Sequence, residues 1–342
     1  EILFCMRNRA LKGNTMSARS VRIESMFGWV MESIKLVKKN FRSFLSASLV
    51  TIVMAILVFL PMWFVMMGNM MATMKSQGMS GNAMPMAGMP MAGGDMTMFF
   101  IVYAITIVVS LLMFPPILIG WFKLCQNADK GIATSGFDIL KPYKDMPLWL
   151  RGLGFSLLGF LVYLLVFGLF ALAFSGPIID FMHQMEAQQM AILSGAEPAP
   201  PSFPFALFIA YFGFIGVAMF LQLVYMVGFT EISLRSTSAI DAMKIAAASV
   251  FKNGLKLILF LVCVIFIFYI AFFIVGMILG VIAVLLTFIH PALGMVAMFL
   301  LFMPMLLITY PLMFSGHYFM WKGMLGDDTT TAPEIPPSSL PV

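Results

Sequence analysis

The chain predicts an all-α, polytopic membrane protein with six transmembrane helices in three hairpin repeats, each preceded by an amphipathic interfacial helix. Three observations carry that class. Hydrophobic residues make up 61% of the 342 positions and charged residues only 10%, where a water-soluble domain carries about a quarter. Six apolar runs are each long enough to cross a bilayer core of about 30 Å as a helix. Lysine and arginine alternate between rich and nearly empty loops. The net charge of +5 is therefore a topology signal and not a nucleic-acid signal.

Residues 1–22 read as an N-terminal tail. Glu1 stands where Met would begin a chain, Met16 is the expected start, and residues 2–6 are too short for the apolar core of a signal peptide. The organising stretch follows. Over residues 24–40, helical spacing places Met26, Phe27, Val30, Met31, Ile34 and Val37 on one face, widened by Trp29 and Leu36. Glu24, Glu32, Lys35 and Lys39 lie opposite. Lys38, Lys39 and Arg42 then sit where a membrane helix leaves the headgroups. Residues 44–67 contain no charge and form the first span.

The remaining spans are expected at 98–121, 152–175, 205–229, 255–276 and 294–320. Basic residues crowd the segment before span one, the loop after span two (Lys123, Lys130, Lys141, Lys144, Arg151) and the loop after span four (Arg235, Lys244, Lys252). Lys75 is the only basic residue in the alternate loops. The positive-inside rule places both termini in the cytoplasm. Prolines 115 and 116 in span two, and 304 and 311 in span six, predict kinks. The apolar run at 255–289 would measure about 52 Å as a helix, so it either tilts strongly or breaks near Gly276–Gly280. Those two glycines also match a close-packing motif between helices. Residues 326–342, rich in Pro, Ser and Thr, are expected to be disordered.

Repetition is the next signal. Ser135 with Asp138, and Ser238 with Asp241, both match a capping box, an N-cap hydroxyl followed three residues on by a carboxylate. Each opens an amphipathic segment that leads into a span. Lys39 and Asn40 match Lys252 and Asn253. Pro115 with Gly120 and Trp121 matches Pro311 with Gly316 and His317. The membrane domain at 23–325 thus divides into repeats at about 23–126, 127–234 and 235–325.

The residues from Phe27 through Asn40, from Gly120 through Phe137 and from Ala242 through Asn253 resemble a group of uncharacterised bacterial six-span inner-membrane proteins. The group is similar in plan to the membrane domain of some glycerophosphodiester phosphodiesterases. The resemblance covers most of residues 20–324 and implies a fold and a compartment, the bacterial inner membrane. These 342 residues hold no phosphodiesterase catalytic domain, so that activity is not carried over.

Chemistry-bearing motifs are sparse. There is no Walker A loop, His-Glu-x-x-His or Gly-x-Ser-x-Gly, and His183, His290 and His317 are far apart. Intramembrane charge, the usual mark of an ion-coupled pathway, is nearly absent. Glu231 comes closest and is expected to pair with Arg235 one turn on. Cys5, Cys125 and Cys263 fall outside the predicted external loops, so no disulfide framework is expected. One stretch stands apart. Methionine fills about a third of residues 66–98, against 34 in the whole chain. Thioethers are soft ligands that suit Cu(I), and this loop resembles methionine-rich external segments of copper importers and periplasmic copper proteins. The candidate ligands are Met84, Met86, Met89, Met91, Met96 and Met98, with Met182, His183 and Met185 in the second outer loop.

The expected function is a non-enzymatic scaffold, assembly or envelope-maintenance factor of the inner membrane. Its basic rim faces membrane lipid, including anionic headgroups, with no nucleic-acid partner. Two alternatives stand beside it: Cu(I) or Ag(I) handling through the Met-rich loop, and transport of a small solute or lipid.

Overall fold

The computed structural model describes residues 20–21, 23–76, 96–193, 205–289 and 291–326. Among these residues the chain is helical throughout, with no strand. In order come α1 (Ile23–Lys39), α2 (Phe41–Ser76), α3 (Met96–Asp129), a 3-10 helix (Gly136–Lys144), α4 (Met146–Ala173), α5 (Ser175–Leu193), α6 (Phe205–Arg235), α7 (Ala239–Ile289) and α8 (Pro291–Leu325). Among the described residues, five helices, those at α2, α3, α4, α6 and α7, are long and apolar enough to cross a membrane.

The three amphipathic segments take three different forms. The first is α1, separated from α2 by Asn40 alone, whose side-chain amide and backbone N–H both donate to Leu36 O. The second is the nine-residue 3-10 helix and not an α-helix. Pro142 removes a backbone donor from it, and caps at Ser135 and Asp145 close it at both ends. The third is continuous with the span that follows, because nothing between Ala239 and Ile289 stops the helix. At 51 residues α7 extends about 77 Å, so the break at Gly276–Gly280 does not occur. Among the described residues, a Cβ on either glycine would meet no atom within 4 Å. The predicted loop after span three is helical over Ser175–Leu193. It turns once at Phe174 and continues as α5.

The capping box at Ser135 forms in full, and the one at Ser238 forms through its hydroxyl. The Asp138 carboxylate accepts from the Ser135 N–H at 3.0 Å and pairs with Lys141 at 2.9 Å. Burial pushes its pKa up, but the Ser135 N–H and the Lys141 ammonium outweigh that and hold it below the usual carboxylate range. At α7, the Asp241 N–H donates to Ser238 Oγ at 3.2 Å, and the Ser238 hydroxyl donates to the Asp241 carboxylate at 2.6 Å.

The apolar residues of α1 divide between two sides. Met26, Trp29, Ser33, Leu36 and Val37 are buried, whereas Phe27, Met31 and Ile34 are exposed. The helix therefore carries two apolar faces, one against α8 and one pointing away from the protein. Two glycines of α8 allow the close approach. A Cβ at Gly323 would lie 2.6 Å from the Trp29 ring, and one at Gly316 would touch Ser33 Oγ at 3.9 Å.

Two helix-internal prolines, Pro116 and Pro311, release carbonyls that distant side chains take up. Pro116 leaves Leu112 O without its helical donor, and Trp149 Nε1 donates to that oxygen at 3.2 Å. The Tyr143 hydroxyl donates to Met113 O beside it at 2.5 Å. Pro311 likewise frees Leu307 O, which lies 3.0 Å from the hydroxyl of Ser48 on α2. In a bilayer no water substitutes for such a partner, so these bonds are what make the prolines tolerable.

Packing is dense at one end of the bundle. Trp121, Phe122, Phe155, Phe229, Phe314, Tyr318 and Trp321 are fully buried there. Trp121 stacks on Phe314 at 4.8 Å between ring centroids and donates through Nε1 to Thr51 Oγ1 at 2.9 Å. At the other end Leu57, Trp63, Phe100, Leu172, Phe205 and Phe288 are exposed. Around the dense end run three hydrogen bonds of one kind. Ser43 at the start of α2 donates to Thr134 O, ahead of the 3-10 helix. Arg151 at the start of α4 donates to Ser236 O, ahead of α7. Lys256 of α7 donates to Val21 O, ahead of α1. Each amphipathic segment is thus tied to the hairpin before it in cyclic order.

Candidate functional site

A concavity lies between α1, α4, α6, α7 and α8. It encloses about 840 Å³, within the range of about 300–1,000 Å³ typical of small-ligand sites. Trp29, Ile34, Ala218, Met219, Leu223, Phe260, Val264, Leu312, Met313 and Met320 make it apolar. Its polar atoms belong to Ser33, Tyr163, Gln222, Tyr269, Thr309 and His317. Among the described residues, none that lines it is Asp, Glu, Lys or Arg.

The placement of each polar group follows from its helix. Ser33 and Thr309 return their hydroxyls to the carbonyls one turn back, Trp29 O and Met305 O, so neither offers a proton to the cavity. Tyr163 reaches the Gln222 side-chain oxygen at 3.5 Å, which leaves the Gln222 amide hydrogens available. His317 Nδ1 lies 2.7 Å from Met313 O. A carbonyl only accepts, so Nδ1 carries the hydrogen and Nε2 of the neutral ring is an acceptor. Among the described residues nothing donates to Nε2. Beside the Tyr269 hydroxyl at the rim, the wall therefore offers the His317 nitrogen as an acceptor and the Gln222 amide as a donor in an otherwise apolar space.

A polar latch stands at the dense end. Glu231 is 1% exposed. It accepts from Trp321 Nε1 at 2.9 Å and pairs with Arg235 at 3.5 Å, as the one-turn spacing predicted. Arg235 also donates to Gly326 O at 2.6 Å and lies 5.0 Å from the centre of the Trp321 ring. Asp129 accepts from Lys322 at 2.6 Å and from Tyr318 at 2.8 Å. These bonds tie α3, α6 and α8 together and leave Glu231 no open face toward the cavity. A shallower cleft of about 440 Å³ on the other flank of α1 is lined by Glu32, Lys35, Lys39, Asp129 and Lys322.

The predicted metal ligands are not brought together within the described residues. Met84, Met86, Met89 and Met91 lie outside them. Met96 is the first residue of α3. Met98 is exposed, and Met182, His183 and Met185 are exposed on α5, where His183 Nδ1 lies 3.8 Å from Glu186. His317 and Gln222, by contrast, carried no site signal in the sequence. A lone histidine and a lone glutamine on apolar helices read as packing residues, and only the fold shows that they face one cavity. No protein-family model, curated protein or solved structure matches this chain.

Proposed function

We propose that this is a non-enzymatic protein of the bacterial inner membrane that holds a membrane lipid between its helices and acts as a lipid-loaded scaffold. It has six spans in three hairpins, with both termini in the cytoplasm. The observation that carries the lipid reading is the uncharged cavity, open among helices of membrane-crossing length. A pathway for ions or charged solutes would need charged or strongly polar walls, and this cavity has none.

Other observations support the architecture. The basic residues cluster in alternate loops, and the three cyclic hydrogen bonds relate the hairpins as equivalent units. The exposed Phe27, Met31 and Ile34 on α1, next to Lys35, Lys38 and Lys39, suit a helix lying in the inner headgroup region. Reporter fusions after Gly81 and Ser194 are expected to read external, and one after Lys130 internal. A cytoplasmic Gly81 overturns the topology.

The lipid reading is tested by native mass spectrometry of the full chain released from mild detergent. The wild type is expected to carry one bound lipid, and Ala218→Trp, which fills the cavity, to have lost it. Lipid retained equally by both proteins, or by neither, contradicts the proposal.

A further inference from the structure

We propose that the cavity selects a neutral lipid whose head carries a free hydroxyl beside a carbonyl, a diacylglycerol being the lipid of that description. This rests on the lipid-holding reading above and adds the class of lipid. The lining excludes a charged head, because no side chain of opposite sign is present to offset the desolvation of a phosphate or ammonium. A purely hydrocarbon occupant would leave two polar groups unused. His317 Nε2 is an acceptor, fixed as such by the Nδ1 bond to Met313 O, and a lipid hydroxyl is the donor it lacks. The Gln222 amide has its oxygen turned to Tyr163, so its hydrogens meet the carbonyl of an ester. Ile34, Ile265 and Tyr269 at the rim are 43%, 50% and 66% exposed, so acyl chains leave the cavity directly into the bilayer.

The test uses the full chain in lipid nanodiscs and a photoactivatable diacylglycerol, displaced by unlabelled competitors. Diacylglycerol is expected to compete on the wild type. Its methyl ether, which cannot donate, is expected to compete about tenfold less well, the worth of one hydrogen bond in a dry site. On His317→Phe the two are expected to compete equally, and His317→Gln, which restores a side-chain acceptor, is expected to recover part of the preference. Equal competition by the ether and the parent on the wild type overturns the inference. So does an anionic phospholipid that competes as well as diacylglycerol, or a long-chain quinol that competes better. Failure here with lipid still lost from Ala218→Trp removes only the head-group assignment. Lipid that Ala218→Trp does not displace removes the cavity reading itself.

Discussion

Glu231 shows how much one residue carries at the dense end. Its carboxylate is fully buried and satisfied by Trp321 and Arg235. Removing one partner of a buried pair leaves the other charge uncompensated, at about 3–5 kcal/mol. Glu231→Ala is therefore expected to lower thermal stability in detergent severely. Trp321→Phe, which removes one hydrogen bond to a charged acceptor, is expected to cost about 1.5–3 kcal/mol. Equal melting temperatures for wild type and Glu231→Ala would contradict the latch. Asp138 gives a pH signature. Its acidity is strengthened in the folded chain, chiefly by the Ser135 N–H and Lys141 against the opposing effect of burial. It therefore stabilises the fold above the ordinary carboxylate range, and that contribution is lost as pH falls through its depressed value. Tyr143 runs the other way. Burial raises it to about 12, so its contribution is complete below the ordinary phenol value near 10 and lost as pH rises through about 12. Melting curves of Asp138→Asn and Tyr143→Phe across pH check both signs, each variant being expected to flatten its own limb. An unchanged limb would count against the assigned cause.

At the scale of elements, close approach and carbonyl rescue decide what packs. A Cβ at Gly120 would fall 2.2 Å from Ile139 O, a collision with backbone that no rotamer relieves. Gly120→Ala is expected to displace the 3-10 helix and raise the accessibility of a thiol label at Leu140, and an unchanged label rate would contradict this. Trp149→Phe strands Leu112 O and is expected to destabilise by about 1–3 kcal/mol. Local features of these elements were legible in the sequence. Ser135 with Asp138, Ser238 with Asp241, and Glu231 with Arg235 each lie within one turn, so spacing alone names both partners. The facing of α1 was not legible, because bilayer and protein interior are equally apolar. Helical spacing groups Phe27, Met31 and Ile34 with Met26, Val37, Trp29 and Leu36 as one apolar side, whereas in the fold the first three are exposed and the last four, with Ser33, are buried. The tie from Trp149 to Leu112 and the one from Ser48 to Leu307 were equally hidden, since they join residues 37 and 259 positions apart.

For the whole molecule, the dense end and the open end follow from one arrangement. Three amphipathic segments wedge between the helices on one side, and among the described residues nothing comparable fills the other. The ties from Ser43, Arg151 and Lys256 run in cyclic order, so the loss of one is expected to loosen a neighbouring hairpin rather than its own. Arg151→Ala is predicted to raise hydrogen exchange at the start of α7, and loss of protection confined to α4 would contradict the cyclic arrangement. The cavity lies where α1 leans across the diverging helices, and its ligand class emerges only when five separated elements converge. Residue chemistry alone drew attention to the Met-rich stretch at 66–98, where composition is conspicuous, and not to His317. The central claim is that a lipid occupies this cavity. It is tested most directly by locating covalent adducts of a diacylglycerol bearing a diazirine near its head, in the full chain in nanodiscs. Adducts are predicted on Met219, Val264 and Met313 and are expected to disappear in Ala218→Trp. Adducts found only on outward residues such as Leu164, Phe212 and Phe273, unchanged in that variant, would contradict it.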